Sequence, residues 1–292
     1  MTTMRLLIPI AVVGALASSV STQPATAPPV LRARRATATV ALKIYNPSGS
    51  TRLVGWDRDS VVIRGRVSSH DHFFFGGDSA NLKFGIEEGS SSESARPADL
   101  IVYLPRRGSV SIKSVDASIA ATDVSGWFYT VSGAIVLAGR AQNVDAESMS
   151  GDVMLDLSTP WVRARTGRGH LVVRGAPEDV DASTVGGALD VLTSSIMRGR
   201  FASVTGDIHY MASVARGSLF DFSNHSGAVD FALPRNVSAT LDLSSVTGQL
   251  DDEFPQLKPA AAPGRRLQTR LGTGDAQIVA RTFKGAIRVR PQ

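Results

Sequence analysis

From residue 133 onward the chain repeats one short pattern of apolar and polar positions. Glycines recur at Gly133, Gly151, Gly169, Gly187, Gly206, Gly227, Gly248 and Gly274, with spacings of 18, 18, 18, 19, 21, 21 and 26 residues. Two and four places after the glycine the residue is mostly apolar: Ile135 and Leu137, Val153 and Leu155, Leu171 and Val173, Leu189 and Val191, Ile208 and Tyr210, Val229 and Phe231. Seven and five places before it lie Val144 and Ala146, Val162 and Ala164, Val180 and Ala182, Phe220 and Phe222, Leu241 and Leu243. Alternation with period two is the signature of a half-buried strand. A glycine between two such strands permits a close backbone approach that a β-carbon would obstruct. The Gly206 repeat departs from the pattern, with Gly199 where an apolar residue is expected.

Two short strands per 18–21 residues, with no helix-period segment between them, predict an all-β chain: a parallel β-solenoid of stacked coils. Equivalent strands of neighbouring coils would lie about 4.8 Å apart, with the apolar positions inside. The general chirality of strand connections favours the right-handed form. A meander or sandwich of hairpins would also place a turn every 8–12 residues or so, but near-constant spacing with matching residue types favours stacking. A left-handed hexapeptide helix does not fit, because no apolar residue recurs every sixth place. In this register Val153, Leu171, Leu189, Ile208 and Val229 form one buried column.

Upstream, strand patterns are expected over 39–45, 51–54, 60–67, 100–104 and 109–112, with loops over 68–77 and 85–97. A Pro/Ala insertion over 256–266 accounts for the stretched last spacing, and strands over 276–279 and 286–289 close the chain. Residues 28–36 read as a linker, and 37–292 as a single domain in which 37–113 supply N-terminal capping strands and 114–292 the repeats and a C-terminal cap. Residues 1–27 have the form of a secretory signal peptide: Arg5, an apolar stretch over 6–17, and cleavage sites at Ala15-Leu16-Ala17 or Ala25-Thr26-Ala27. No later stretch is long and apolar enough for a transmembrane helix. The mature protein is therefore expected outside the cytoplasm, in the periplasm, on the outer surface or secreted.

Composition narrows the chemistry. There is no cysteine, which removes disulfides, thiolate metal sites and cysteine nucleophiles. Lys and Arg total 31 against 26 Asp and Glu, a formal +5. The basic residues are interspersed with carboxylates rather than gathered in an arm, which argues against nucleic-acid binding. Only five are lysines: Lys43, Lys83, Lys113, Lys258 and Lys284.

Asn46-Pro47-Ser48-Gly49, then Arg52-Leu53-Val54-Gly55-Trp56-Asp57, then Val61-Val62-Ile63 precede Ser150-Gly151-Asp152, Thr205-Gly206-Asp207 and Thr273-Gly274-Asp275. This series resembles the bacterial "putative adhesin" family with β-strand repeats, secreted or surface proteins whose domain has no assigned function. The resemblance covers nearly all of the mature chain. It implies a β-solenoid and a cell-envelope location, and no catalytic residues. Ala134, His170, Ala188, Ala228 and Gln249 follow their glycines in place of aspartate, so a ligand site needing that aspartate in every coil does not fit.

No nucleophile elbow, zincin motif, phosphate loop, dinucleotide fingerprint or calcium nonapeptide is present. No catalytic, cofactor or metal residue is assigned. His70-Asp71-His72 could offer metal ligands but reads better as part of a loop that folds Phe73, Phe74 and Phe75 onto the stack. Trp127-Phe128-Tyr129 is the other aromatic group, with Trp127 facing out and Phe128 in. Phe73, Phe74, Trp127 and Tyr129 are the candidate partner surface, to be met by an envelope protein or a polysaccharide. Six places before the glycine the residues are Asp145, Arg163, Asp181, Arg200, Asp221 and Asp242. Asp145, Arg163, Asp181 and Arg200 are expected as an outward ladder of alternating charge, whereas Asp221 and Asp242 would meet as like charges. The reading is a non-enzymatic envelope protein with an adhesive, structural or partner-binding role. The competing reading is a carbohydrate-active β-helix enzyme, which needs convergent carboxylates beside a groove.

Overall fold

The computed structural model describes residues 29–68, 71–87, 97–193, 196–254 and 265–292. Residues 1–27, expected as a signal peptide, His70 and most of the 85–97 and 256–266 segments lie outside the described residues. Among the described residues there is no helix, and 24 strands join in one hydrogen-bonded sheet.

The period-two alternation decides how the sheet folds on itself. A residue pairs in parallel with its equivalent in the next repeat, so Val153 lies beside Leu171 and Asp145 beside Arg163, each 18 positions on. Two such ladders form. Val153–Thr166 and Leu171–Thr184 run through both, pairing with Ile135–Arg140 and Leu189–Thr193 by their first halves and with Asn143–Ser148 and Arg198–Ser203 by their second. The ladder of the second halves is called the first ladder below, and the other the second. Their inner faces supply one core. Val153, Leu171, Leu189, Ile208 and Val229 are register partners in series, and all are fully buried.

The irregular Gly206 repeat has a packing reason. A β-carbon on Gly199 would press into the rings of Phe201 and Phe220. Those rings fill the space: Phe201 stacks on Phe222 at 4.9 Å, and Tyr210 meets Phe222 edge-on at 5.4 Å.

The turn between the ladders holds a structure that the apolar pattern does not reveal. A β-carbon on Gly151, Gly169, Gly187, Gly206 or Gly227 would collide with the carbonyl oxygen of the glycine one repeat earlier. Three residues before each glycine stands a buried Thr, Ser or Asn, again in register: Thr130, Ser148, Thr166, Thr184, Ser203, Asn224. Five of the six accept the N–H of their own glycine, at 3.1 Å for Thr166 with Gly169 and 3.0 Å for Asn224 with Gly227, while the buried Ser203 hydroxyl has no hydrogen-bond partner among the described residues. Ser148, Thr166 and Asn224 also donate to the glycine carbonyl of the preceding repeat, at 2.9 Å for Thr166 to Gly151 and for Asn224 to Gly206.

Strand order departs from chain order at both ends. Ala276–Thr282 lies between Leu219–Asn224 and Ala239–Ser245, and Ile287–Pro291 between Val229–Leu233 and Leu250–Asp252. The last strands therefore do not cap the stack; they are inserted one repeat from its end. Ala41–Tyr45 likewise lies between Asn81–Glu87 and Ser109–Lys113, and Gly49–Trp56 between Ala98–Pro105 and Ser118–Thr122. Gly274 is not a member of the glycine column: it sits in a turn with φ +76°, and Gly285 stacks between Gly227 and Gly248 instead. Two segments expected as irregular are strands. Pro29–Arg35 pairs antiparallel with Ser60–Arg66, and His72–Gly77 pairs antiparallel with Asn81–Glu87. Both are one-sided edge strands whose alternation is weak, which is why the pattern reads as linker and loop.

Leu171→Ala should lower unfolding stability by about 2–5 kcal/mol, since rigid neighbours above and below cannot collapse into the space. Thr166→Val, nearly isosteric, should cost about 1–3 kcal/mol by orphaning the Gly169 N–H and the Gly151 carbonyl. Urea denaturation of both variants measures these losses.

Candidate functional site

Alternation along the first ladder turns every second residue outward, and parallel register lines these residues into columns. At the N-terminal end one column carries Lys83 beside Lys43, then Ser111 and Trp127; its neighbour carries Tyr45, Lys113 and Tyr129. Phe74 faces the same way over Gly85, whose missing side chain leaves room for the ring. Phe73 and Phe75 pack against the core instead, with Phe73 6.0 Å from the Phe84 ring. Phe128 is fully buried, and Trp127 and Tyr129 stack at 5.6 Å on the outer face. The Lys83 ammonium lies 5.2 Å from the Phe74 ring and that of Lys113 5.4 Å from the Trp127 ring. Lys43, Tyr45, Lys83, Ser111 and Lys113 line a depression of about 350 Å³. Of the candidate partner residues, the structure thus brings Phe74, Trp127 and Tyr129 to one end of one face and turns Phe73 away.

Further along the face, Asp145, Arg163, Asp181 and Arg200 occupy one position on successive strands. Contact between them is uneven. Arg163 reaches Asp145 at 3.4 Å and lies 5.7 Å from the Trp161 ring. Its Nε is buried without a hydrogen-bond partner. Among the described residues no ion pair joins Asp181 to Arg163 or Arg200. Arg198 pairs instead with Asp179 at 3.1 Å. Trp161, Asp179, Asp181, Arg198, Arg200 and Asp221 border a second depression of about 470 Å³. The expected contact of Asp221 with Asp242 is not formed, because the inserted strand places Val279 between them. Each carboxylate has its own arginine, Arg281 at 3.7 Å from Asp221 and Arg266 at 3.2 Å from Asp242. The Arg266 hydrogen bond holds the Asp242 carboxyl below its ordinary range.

The outer face of the second ladder carries an alternating column that the sequence does not announce. Asp190, His209, Asp230, Arg288 and Asp251 are neighbours on successive strands. His209 approaches Asp230 at 3.3 Å, Arg288 reaches Asp230 at 3.3 Å and Asp251 at 3.6 Å, and His170 contacts Asp190 at 2.9 Å. Chain order hides it, since Arg288 enters out of sequence. At the turn edge, two places before the glycine column, Val131, Met149, Val185, Val204, Phe283 and Val246 are exposed apolar residues.

The motif residues that carried the family resemblance are structural. Gly55 lets the chain pass against the Asp123 carbonyl, Trp56 stacks on Tyr103 at 5.2 Å, and Asp57 pairs with Arg106 at 3.1 Å. Arg106 also binds Asp123, whose carboxylate accepts the Arg140 N–H at 2.8 Å. The aspartates after the repeat glycines accept the equivalent backbone N–H of the next repeat: Asp152 from His170 at 2.8 Å and Asp207 from Ala228 at 2.7 Å.

No protein-family model matches the chain, and no curated protein matches it. Solved structures do. The chain is similar to a putative lipid binding protein from Parabacteroides distasonis, with a TM-score of 0.55 and 10% identity over 90% of this chain and 97% of that one. At that identity the likeness is one of fold. It is also similar to a putative adhesin from Bacteroides fragilis, with a TM-score of 0.42 and 11% identity over 90% and 97% of the two chains. A putative cell adhesion protein from Clostridium sporogenes matches with a TM-score of 0.25 and 8% identity over 91% and 100%. Proteins bearing the adhesin name thus stand among the solved structures it matches.

The Arg140 N–H, and next the Arg106 guanidinium, hold the Asp123 carboxyl below the ordinary aspartate range. A carboxyl lowered by folding stabilises the protein fully above its unfolded value, near pH 4, and that contribution disappears as pH falls through the folded value. Asp123→Asn should therefore lower stability near pH 7 and flatten its loss below about pH 4. Denaturant midpoints followed from neutral to acid pH check both.

Proposed function

We propose that this protein is a non-enzymatic, extracytoplasmic binding protein of adhesin type. Its two ladders are the sides of a right-handed parallel β-solenoid formed by one domain over 29–292, behind an export signal in 1–27. The outer face of the first ladder holds an envelope polysaccharide. One observation carries this reading: Phe74, Trp127, Tyr129 and Trp161 stand along the same outer face as the columns of charge. Aromatic rings offer flat apolar surfaces to sugar rings, while carboxylates and guanidinium groups take hydroxyls as acceptors and donors. A straight face suits an extended polymer, because its columns repeat the same chemistry strand after strand.

The enzymatic alternative needs one carboxyl kept as a proton donor beside a second as base or nucleophile. Here Asp145, Asp179, Asp221 and Asp242 each face an arginine, an arrangement that serves structure and recognition better than proton transfer.

Affinity electrophoresis through gels carrying a panel of neutral and acidic polysaccharides tests the reading. The protein should be retarded by at least one polymer, Trp127→Ala and Trp161→Ala should each weaken that retardation about tenfold, and no reducing ends should appear. Absence of retardation across the panel, or release of reducing ends, overturns it.

A further inference from the structure

We infer that the depression between Lys43, Lys83 and Lys113 is an anion subsite, so that the polymer held by this face is an acidic polysaccharide. The inference rests on the reading of the first ladder's outer face as a polysaccharide surface and names the ligand class.

These three lysines are far apart in sequence and together in space. Ala41–Tyr45 is inserted between Asn81–Glu87 and Ser109–Lys113, which sets Lys43 directly beside Lys83 and Tyr45 directly beside Lys113. Three of the chain's five lysines thus line one depression of about 350 Å³. Like charges on directly opposed strand positions destabilise a sheet. Along the rest of this face that cost is avoided, because Arg163, Arg198, Arg281 and Arg266 each meet an aspartate. Among the described residues no carboxylate pairs with Lys43, Lys83 or Lys113. As far as the described residues go, the positive charge is therefore left open to a ligand.

The site is also organised for that ligand. Phe74 and Trp127 lie under the Lys83 and Lys113 ammonium groups at 5.2 and 5.4 Å, an arrangement that holds flexible side chains in place while their charged ends stay accessible. The stacked Trp127 and Tyr129 rings continue the depression along the face. An ammonium is a compact, rotatable point charge, suited to single carboxylates spaced along a polymer rather than to one bidentate anion. Anionic groups beside sugar rings satisfy both halves of the site: charge for the lysines and an apolar ring face for the aromatics.

Binding of the full mature chain to polygalacturonate, neutral dextran and phosphatidylglycerol vesicles tests this, at about 50 mM and about 500 mM salt. Two triple variants carry the comparison: Lys43→Gln with Lys83→Gln and Lys113→Gln, and a charge-matched control, Arg32→Gln with Arg235→Gln and Arg290→Gln. Wild type should bind polygalacturonate more tightly than dextran and lose affinity at high salt. The lysine variant should bind polygalacturonate at least about tenfold more weakly, and the control within about twofold of wild type. Equal losses in both variants, or none in the lysine variant, overturn the anion subsite. So does lysine-dependent capture by the vesicles without binding to polygalacturonate. Dextran bound as tightly as polygalacturonate overturns the subsite and leaves the polysaccharide face standing. Failure to bind either polysaccharide overturns the anion subsite, and absence of retardation across the whole polysaccharide panel overturns the polysaccharide face as well.

Discussion

Everything on the outside of this protein depends on how closely the turns stack on its inside edge. From Gly151 to Gly227 each repeat glycine presses its backbone against the carbonyl of the glycine before it, and at Gly151, Gly169 and Gly227 a Ser, Thr or Asn side chain bridges the two. This contact is intolerant of slippage. A shift by one residue would drive a β-carbon into a carbonyl and bury two unpaired backbone groups. Register is thereby fixed once per repeat, and every column follows from it: the buried Val153 to Val229 series, the Asp145 to Arg200 series outside it, and the Asp190 to Asp251 series on the opposite face. The hydrophobic core supplies bulk stabilisation, but apolar contacts alone are non-directional and would accept neighbouring registers.

The same constraint explains the ends. A stack of parallel strands exposes unpaired backbone groups at its first and last rung, a template for unwanted pairing. Inserting Ala41–Tyr45 and Ala276–Thr282 two rungs inside ties early and late chain segments between strands that already have partners. Three of the outermost strands are then poor templates. Pro29–Arg35 carries a proline and three arginines, Leu250–Asp252 is three residues long with two aspartates, and Arg266–Leu271 runs antiparallel to its neighbour. Insertion at both ends also closes long-range contacts early and late in the sequence, which raises the loop-closure cost of folding relative to a purely sequential stack.

What could be read from the sequence was local. Glycine spacing and the flanking alternation place the buried columns and turn Phe128 in and Trp127 out, because period two needs nothing beyond neighbouring residues. Strand order is different: it depends on which exposed edge a later segment reaches, and no spacing encodes that. Gly274 follows a threonine and precedes an aspartate, as Gly151 and Gly206 precede theirs, and so passes for a repeat glycine. The position three residues earlier exposes it. Leu271 stands there, whereas Thr282 stands three residues before Gly285, a buried polar residue as at the equivalent position of the other turns. Reading that column would have found the insertion of the last strands, and with it the separation of Asp221 from Asp242. It would not have found the lysine cluster, whose assembly depends on a segment entering out of order at the other end.

The filled interior sets where recognition can occur. Inner positions are occupied by side chains such as Leu171, Phe201, Phe222 and Val229, fully buried and in contact along the stack, so small changes there are felt as lost packing rather than accommodated as a pocket. Outer positions carry no such constraint. A substitution there changes one column element and leaves the register, held at the glycine edge, untouched. A scaffold of this kind separates the residues that specify the fold from those free to specify a ligand. The clustered lysines and the stacked aromatics belong to the second group: the stitched turns and the buried columns hold the sheet without them.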